Sequence, residues 1–423
     1  MKAKSFAIYT LGCKLNFGES SEIARQLTEA GLAHADHPDV IILNSCAVTA
    51  TAEKKSRNLV AHLHRETPEA EIVVLGCYGS LRPELIRRWP GVTAVFGNRD
   101  KMNAIHYVLG ETLPSAPRFF SAFSSNDRTR SFLKIQDGCD YHCSYCTVAD
   151  ARGESRSDTI DHVICQLQRI NESGIKEVNL TGVNIGDFGK GQDVNFLQLL
   201  QRIEQERIVP RVRISSVEPN LLSEDIIRLV VTSQTLMPHF HIPLQSGCNR
   251  ILALMRRRYN CDLFADKIHL IKELMPQACI AIDVIAGFPG ETEEDFEETY
   301  RFVESLPLSY MHVFTYSSRP GTPAAAMKQT PPPVKKERTD RLLALSAAQK
   351  LKFYRENENT LHTVLFESEV KEGMMSGFTD NYVKVQTPYN SAFVNQLVPV
   401  VISRLSDPDA DERFLVMDCA LQQ

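Results

Sequence analysis

Short apolar runs alternate with helical stretches along most of this 423-residue chain, and cysteines recur where the runs end. In the first ~115 residues the periodicity predicts strands at 5–10, 40–43, 72–75 and 92–96, with helices at 19–30, 50–66 and 81–88. Such alternation implies a parallel α/β sheet. Cys13, Cys46 and Cys77 each follow a strand, in TLGCKLN, LNSCAVTA and VLGCYGS. In an open parallel sheet those loops share one edge, and ligands bind there. Three cysteines distant in sequence then converge in space. That favours a metal site over three small buried hydrophobes.

After a linker at 116–130 (PRFFSAFSSNDRTRS), the alternation resumes. Strands are expected at 132–136, 177–181, 211–215, 239–243, 280–285 and 310–314, and helices at 159–173, 195–206, 223–232, 261–274 and 294–305. Six βα units imply a partial TIM-like (β/α)6 barrel, with function at the loops after its strands. The first such loop reads DGCDYHCSYC and holds Cys139, Cys143 and Cys146 at C-x3-C-x2-C spacing. A structural zinc site wants four ligands, so three thiolates this close suit an iron–sulfur cluster better. In a four-iron cubane, one iron is left open to a substrate or cofactor.

The segment 328–342 is Pro-rich and then charged, and reads as a linker entering a helix that runs to about residue 356. The final ~65 residues read as short strands with turns such as Thr379-Asp380-Asn381, the pattern of a small all-β, OB-like barrel. The expected organisation is an N-terminal domain over 1–115, the linker, a barrel domain over 131–345, a connecting helix over 346–357 and a β domain over 358–423.

The formal net charge of −5 gives no global argument for a polyanion partner, so any such site is a local basic patch. The apolar stretch at 6–11 is too short for a secretory signal, and no run approaches a membrane span. A cytoplasmic chain with no membrane partner is expected. In that setting eleven cysteines point to metal or catalysis rather than disulfides. Cys165, Cys248, Cys261, Cys279 and Cys419 read as packing residues, although Cys248 follows Gln245-Ser246-Gly247 on the functional face.

Other residues mark that face. Tyr145, before the last clustered cysteine, offers a ring for stacking on a planar base. Thr181 and Gly182 open a loop whose backbone can approach a ligand closely. Arg152 and Arg156 offer bidentate contacts to a carboxylate. Gln245 ends HIPLQ, and DVIAGFPGE ends the fifth barrel strand. The run Met255-Arg256-Arg257-Arg258-Tyr259 offers a phosphate contact.

The C-x3-C-x2-C loop resembles that of the radical S-adenosylmethionine (SAM) superfamily. With TLGCKLN, NSCAVTATAEKKSR, HIPLQSGCNRIL, DVIAGFPGET and TYSSRPGTPAA, the whole chain resembles its methylthiotransferase branch, including a C-terminal TRAM domain. Within that branch, Gly12-Cys13-Lys14-Leu15-Asn16 and Ser318-Arg319-Pro320-Gly321-Thr322 are similar to the type acting on N6-threonylcarbamoyladenosine beside the tRNA anticodon. Phe17-Gly18 and Ala149 depart from the usual residues without removing a ligand.

The resemblance implies two 4Fe–4S clusters, one on Cys139, Cys143 and Cys146 that binds SAM and one on Cys13, Cys46 and Cys77 that carries the sulfur. It also implies SAM contacts at Tyr145, Arg156, Thr181, Gly182 and Gln245. Reductive cleavage of SAM would give a radical that takes hydrogen from C2 of the adenine, and methylthio would replace it. The implied partners are a tRNA anticodon stem-loop, with Lys371, Lys384 and Arg404 as candidate RNA contacts in the TRAM domain, an electron donor and a sulfur source. The competing readings are a methylthiotransferase for isopentenyladenosine or for a ribosomal-protein aspartate, and an RNA-binding protein with structural or redox-sensing clusters.

Overall fold

The computed structural model describes residues 3–47, 50–111, 119–124, 129–407 and 415–421. The chain opens with a five-stranded sheet, entirely parallel, in the order Ala33–His34, Ser5–Thr10, Val40–Ser45, Glu71–Gly76, Val92–Val95. The central strand Val40–Ser45 is buried at every position: Val40–Leu43 pack as an apolar run between two helical layers, and the Asn44 amide and Ser45 hydroxyl donate to the Asn16 and Leu75 carbonyls. The loops bearing Cys13, Cys46 and Cys77 leave three adjacent strands at the same edge.

Two helices differ from expectation. The first spans Lys14–Glu29 and begins directly after Cys13, not at residue 19. Asn16 and Gly18 read as helix breakers, but tertiary contact overrides propensity. A Cβ on Gly18 would stand 3.2 Å from the Phe132 carbonyl oxygen, so glycine lets the helix lie close to the strand Arg130–Lys134. The helix expected at 81–88 is two short pieces, Cys77–Leu81 and Pro83–Ile86. Pro83 forces the break by pushing Arg82 out of helical geometry, to φ −138°. The sequence pattern also missed a helix at Lys101–Leu109.

Much of the expected linker (116–118 and 125–128) lies outside the described residues, as do Val48 and Thr49 of the Cys46 loop. The part that is described contributes a strand, Ala122–Phe123, antiparallel to Arg130–Lys134. The next parallel strands form two sheets: Arg130–Lys134, Glu177–Thr181 and Arg211–Ile214 in one, His239–Gln245, Cys279–Ala286 and Tyr310–Thr315 in the other. A single bridge, Val212 to Leu236, links the first sheet to the segment leading into the second. Alternate residues Leu133, Val178, Leu180, Val212, Ile242, Ile282 and Met311 build one apolar core against the helices. Period-two alternation then turns Phe132, Asn179, Arg213, His241, Asp283 and His312 to the opposite, inner face.

The helix joining this region to the C-terminus runs from Pro332 to Glu356, so it replaces most of the expected linker and begins well before residue 346. Prolines are tolerated in a first helical turn, where their missing N–H has no intrahelical role. Leu342 and Leu345 then bury into the core of the central region. The last five strands pair in the order Leu361–Lys371, Met374–Thr379, Lys384–Pro388, Met417–Leu421, Leu397–Leu405, and the first and last pair with each other to close the sheet. The strand Met417–Leu421 was not expected. No described helix is long and apolar enough to cross a membrane.

Candidate functional site

Each cysteine triplet is placed by a different physical device. Cys13, Cys46 and Cys77 depend on glycines. Gly12 has φ +110°, and a Cβ there would stand 2.7 Å from Cys46 Cβ. Gly76 has φ +100°, and a Cβ there would stand 2.5 Å from the Ser45 carbonyl oxygen. The residues before Cys13 and Cys77 are thus pressed against the loop of Cys46, and only glycine permits both the approach and the backbone conformation. Arg319, in the SRPGT motif, donates to the Ala47 carbonyl at 2.6 Å and fixes that loop to the central region.

Cys139, Cys143 and Cys146 depend on a local turn. The Cys146 N–H donates to the Cys143 carbonyl at 3.1 Å, and Ser144 bonds the backbone of Leu254 and Met255. The Tyr141 N–H points at Cys139 Sγ (3.3 Å), the Val148 N–H at Cys146 Sγ (3.4 Å) and Arg257 Nη1 at Cys143 Sγ (3.1 Å). Burial pushes the free thiols up, Cys139 to about 11 and Cys146 to about 12. Any metal bound there must displace those protons.

The donor sets fit iron–sulfur clusters. N–H and guanidinium donors aimed at sulfur are the contacts that stabilise cluster thiolates. A mononuclear tetrahedral thiolate site would bring sulfurs to about 3.8 Å of one another. Among the described residues, the set of three ligand atoms within 4.8 Å is His241, Asp283 and His312, and neither cysteine triplet is that tight.

Between the triplets lies a buried ionic network that sequence reasoning missed. Glu19 pairs with Lys101, with Lys134 at 2.7 Å and with Arg152 at 3.2 Å. Asp137 pairs with Lys134 at 2.7 Å, Arg152 at 2.8 Å and Arg156 at 2.7 Å. Asn16 accepts from Arg152 at 2.7 Å and donates to the Ser45 carbonyl at 3.1 Å. Asn98 accepts from Lys101 at 2.8 Å and donates to Cys77 Sγ at 3.3 Å. Burial alone would raise the Glu19 carboxyl, but Arg152, Lys101 and Lys134 outweigh it and hold it well below the usual carboxylate range. Burial acts likewise on Asp137 and is outweighed by Lys134, Arg152 and Arg156. Four cations thus face two carboxylates, and Cys77 and Cys13 are among the groups acting on Arg152. A surplus of buried positive charge beside these cysteines suits anionic thiolates.

Arg152, offered from sequence as a carboxylate clamp, is therefore a buried strut. Arg156 is engaged too, with Asp137 and the Arg152 carbonyl (2.8 Å). Tyr145 packs edge-on to Phe288, ring centroids 6.4 Å apart, with Arg257 reaching its hydroxyl. Thr181 donates to the Leu133 carbonyl at 3.1 Å. Gly182 lies where a Cβ would come 2.8 Å from Gln136 Oε1, and that oxygen accepts from the N–H groups of Val183 and Asn184. Gln245 adopts φ +70° at a bulge in its strand, a strained conformation for glutamine and a common mark of a functional position.

The Met255–Tyr259 run divides, with Arg256 and Arg258 exposed and Arg257 turned inward. Arg257 is buried between Glu218 and Cys143, and Arg258 lies 3.9 Å from the centroid of the Tyr141 ring. Cys248, Cys261 and Cys279 are buried as expected, Cys248 within reach of Asp295 (3.4 Å), whereas Cys165 is exposed. Lys371 and Lys384 line a cavity of about 850 Å³ between the long helix and the C-terminal sheet. Arg404 lies apart, beside Asp418.

Residues 133–303 match the radical SAM superfamily, and residues 5–97 match the uncharacterized protein family UPF0004. A threonylcarbamoyladenosine tRNA methylthiotransferase, MtaB, of Bacillus subtilis is 37% identical over 97% of this chain and 96% of its own length. A tRNA-2-methylthio-N(6)-dimethylallyladenosine synthase of Bifidobacterium adolescentis is 34% identical over 88% of this chain and 81% of its own. In fold, the chain is similar to the radical SAM methyltransferase TsrM of Kitasatospora setae, with a TM-score of 0.57 and 12% identity over 88% of this chain and 80% of that one. Two cysteine triplets on matching domains, and identity sustained from end to end, lead to one conclusion: this chain belongs to the radical SAM methylthiotransferase family.

Proposed function

We propose that this protein adds a methylthio group to C2 of N6-threonylcarbamoyladenosine beside the anticodon of tRNA. The observation that carries the reading is the joining of two separate cysteine triplets, each short of a fourth ligand, by one buried charge network. Relatives named for the same substrate, from Bacillus subtilis to Aquifex aeolicus (32% identical over 90% of this chain), support it.

Cys139, Cys143 and Cys146 would hold one 4Fe–4S cluster, and Cys13, Cys46 and Cys77 the other. Bound together with SAM, the clusters supply the radical and the sulfur, the hard steps that a cofactor carries. This chain's residues hold the parts in place. Arg257 and the loop N–H groups stabilise charge on one triplet, and Asn98 and Arg152 do so for the other. Tyr145, Phe288 and Tyr316 make an apolar wall beside the first triplet that excludes water. Tyr145, Arg156, Thr181, Gly182 and Gln245 are the proposed SAM contacts, a reading supported by the strained backbone of Gln245, at φ +70°. The target base must leave its stack, which costs less in an anticodon loop than in a duplex.

The division into an N-terminal domain, a radical SAM domain and a TRAM-type RNA-binding domain belongs to the same proposal. So do a cytoplasmic location, an electron donor and a sulfur source. Mass spectrometry of tRNA nucleosides from a deletion strain tests the reading. Loss of 2-methylthio-threonylcarbamoyladenosine alone is expected. Its persistence, with loss of the isopentenyl counterpart instead, overturns the substrate. An unchanged nucleoside profile overturns the enzyme reading in favour of a binding protein.

A further inference from the structure

Lys14 follows Cys13 directly and is the first residue of its helix. Unlike Lys101 and Lys134, it takes no part in the ionic network. Its ammonium stands 5.7 Å from the centroid of the Phe132 ring, and among the described residues it has no hydrogen-bond or ion-pair partner. With Arg130, Phe132, Asn179 and Tyr382 it lines a cavity of about 680 Å³. That size suits a modified nucleoside.

The carboxylates nearby are committed or remote. Glu177 pairs with Arg213 at 2.9 Å and Arg130 at 3.6 Å, Glu367 pairs with Arg130, and Glu369 stands at the exposed rim. Both ring nitrogens of His239, whose ring lies 4.6 Å from that of Tyr382 and tilted by 40°, are buried without a partner among the described residues. The Lys14 side chain is exposed at this cavity, so its ammonium is free to pair with an anion that enters. The cavity therefore asks for a ligand that is part aromatic and part anionic.

We propose that Lys14 is a specificity-determining residue that binds the carboxylate of the threonylcarbamoyl tail and so turns C2 of the base towards the Cys13 side of the site. This rests on the function proposed above. The reacting carbon and the tail-bearing carbon flank the same ring nitrogen, so tail and C2 lie on neighbouring edges of the base. A residue adjacent to Cys13 can hold one while the other meets the sulfur. An uncharged isopentenyl tail would leave the ammonium unpaired, and a site built around such a contact rejects analogues that lack it.

The test uses the full-length, reconstituted protein and anticodon stem-loop RNAs carrying threonylcarbamoyladenosine or its carboxylate methyl ester. Binding is read by fluorescence anisotropy and turnover by nucleoside mass spectrometry. The wild type is expected to prefer the acid to the ester by roughly tenfold or more, as a charge-assisted contact implies. Lys14→Gln should bind both at the ester level, and Lys14→Arg should keep most of the preference. Iron content equal to wild type shows that the variants are folded. A Lys14→Gln protein that still prefers the acid by the same factor overturns the proposal. So does a wild type that modifies threonylcarbamoyladenosine but binds acid and ester alike, which leaves the function standing. A wild type that acts only on the isopentenyl base overturns both.

Discussion

The two cysteine triplets offer the same ligands but are built in opposite ways. Cys139, Cys143 and Cys146 lie within eight residues, on one turn whose donors are mostly its own backbone. Cys13, Cys46 and Cys77 come from three strand ends and meet only because a parallel sheet, two glycines and a buried ionic network bring them together. A local site is insured by chain connectivity. A dispersed site inherits every weakness of the fold around it. Damage to the shared scaffold should therefore empty the dispersed triplet first.

The largest expected effect comes from Glu19, which three cations share. Glu19→Ala leaves Lys101 buried without a carboxylate and Lys134 and Arg152 to share Asp137 alone, a loss of about 3–5 kcal/mol. Denaturant titration and iron analysis should show a destabilised protein that retains the Cys139 loop cluster alone. The counterpart at the local triplet is Arg257→Met, which removes the donor to Cys143 and the partner of Glu218. It should cost about 2–3 kcal/mol and perturb only that cluster's electron paramagnetic resonance signal. Gly12→Ala would drive a Cβ into Cys46 at a backbone angle alanine resists, for about 1–3 kcal/mol and a loss of iron from the dispersed triplet. Asn98→Ala removes one donor to Cys77 and should cost about 1 kcal/mol while shifting that cluster's potential.

Acid should separate the two regions as well. The Glu19 and Asp137 carboxyls are held below their ordinary range in the fold, so the unfolded chain binds more protons as pH falls. Their stabilisation is complete above the ordinary carboxylate range, about pH 4, and is lost progressively below it. Melting temperature should fall with pH there, and Glu19→Gln should flatten the slope. A slope unchanged in that variant would remove Glu19 from the acid response.

The same contrast governs what the sequence made legible. The strand–helix alternation and both triplets were readable because they rest on local periodicity and on spacing relative to strand ends. The ionic network was not. Lys101, Lys134 and Glu19 carry no local signal, Arg152 reads as a clamp for a ligand's carboxylate, and their pairings with Glu19 span 82 to 133 residues of chain. Arg257, inside a basic run, looked like a phosphate contact because sequence shows charge but not the burial that turns it toward Cys143. Asn16 was visible only as part of GCKLN, with nothing to show that its amide links Arg152 to the Cys46 loop. Of the helix over 332–356 only the later part was legible, since a proline pair that usually marks a linker also suits a first helical turn.

Iron content after anaerobic reconstitution tests the central claim most directly. With a four-iron cluster on each triplet, the wild type should hold about eight irons per chain, and Cys143→Ala and Cys77→Ala about four each. A wild type that saturates at about four, or a Cys77→Ala protein that loses none, would contradict the account of two clusters in one site.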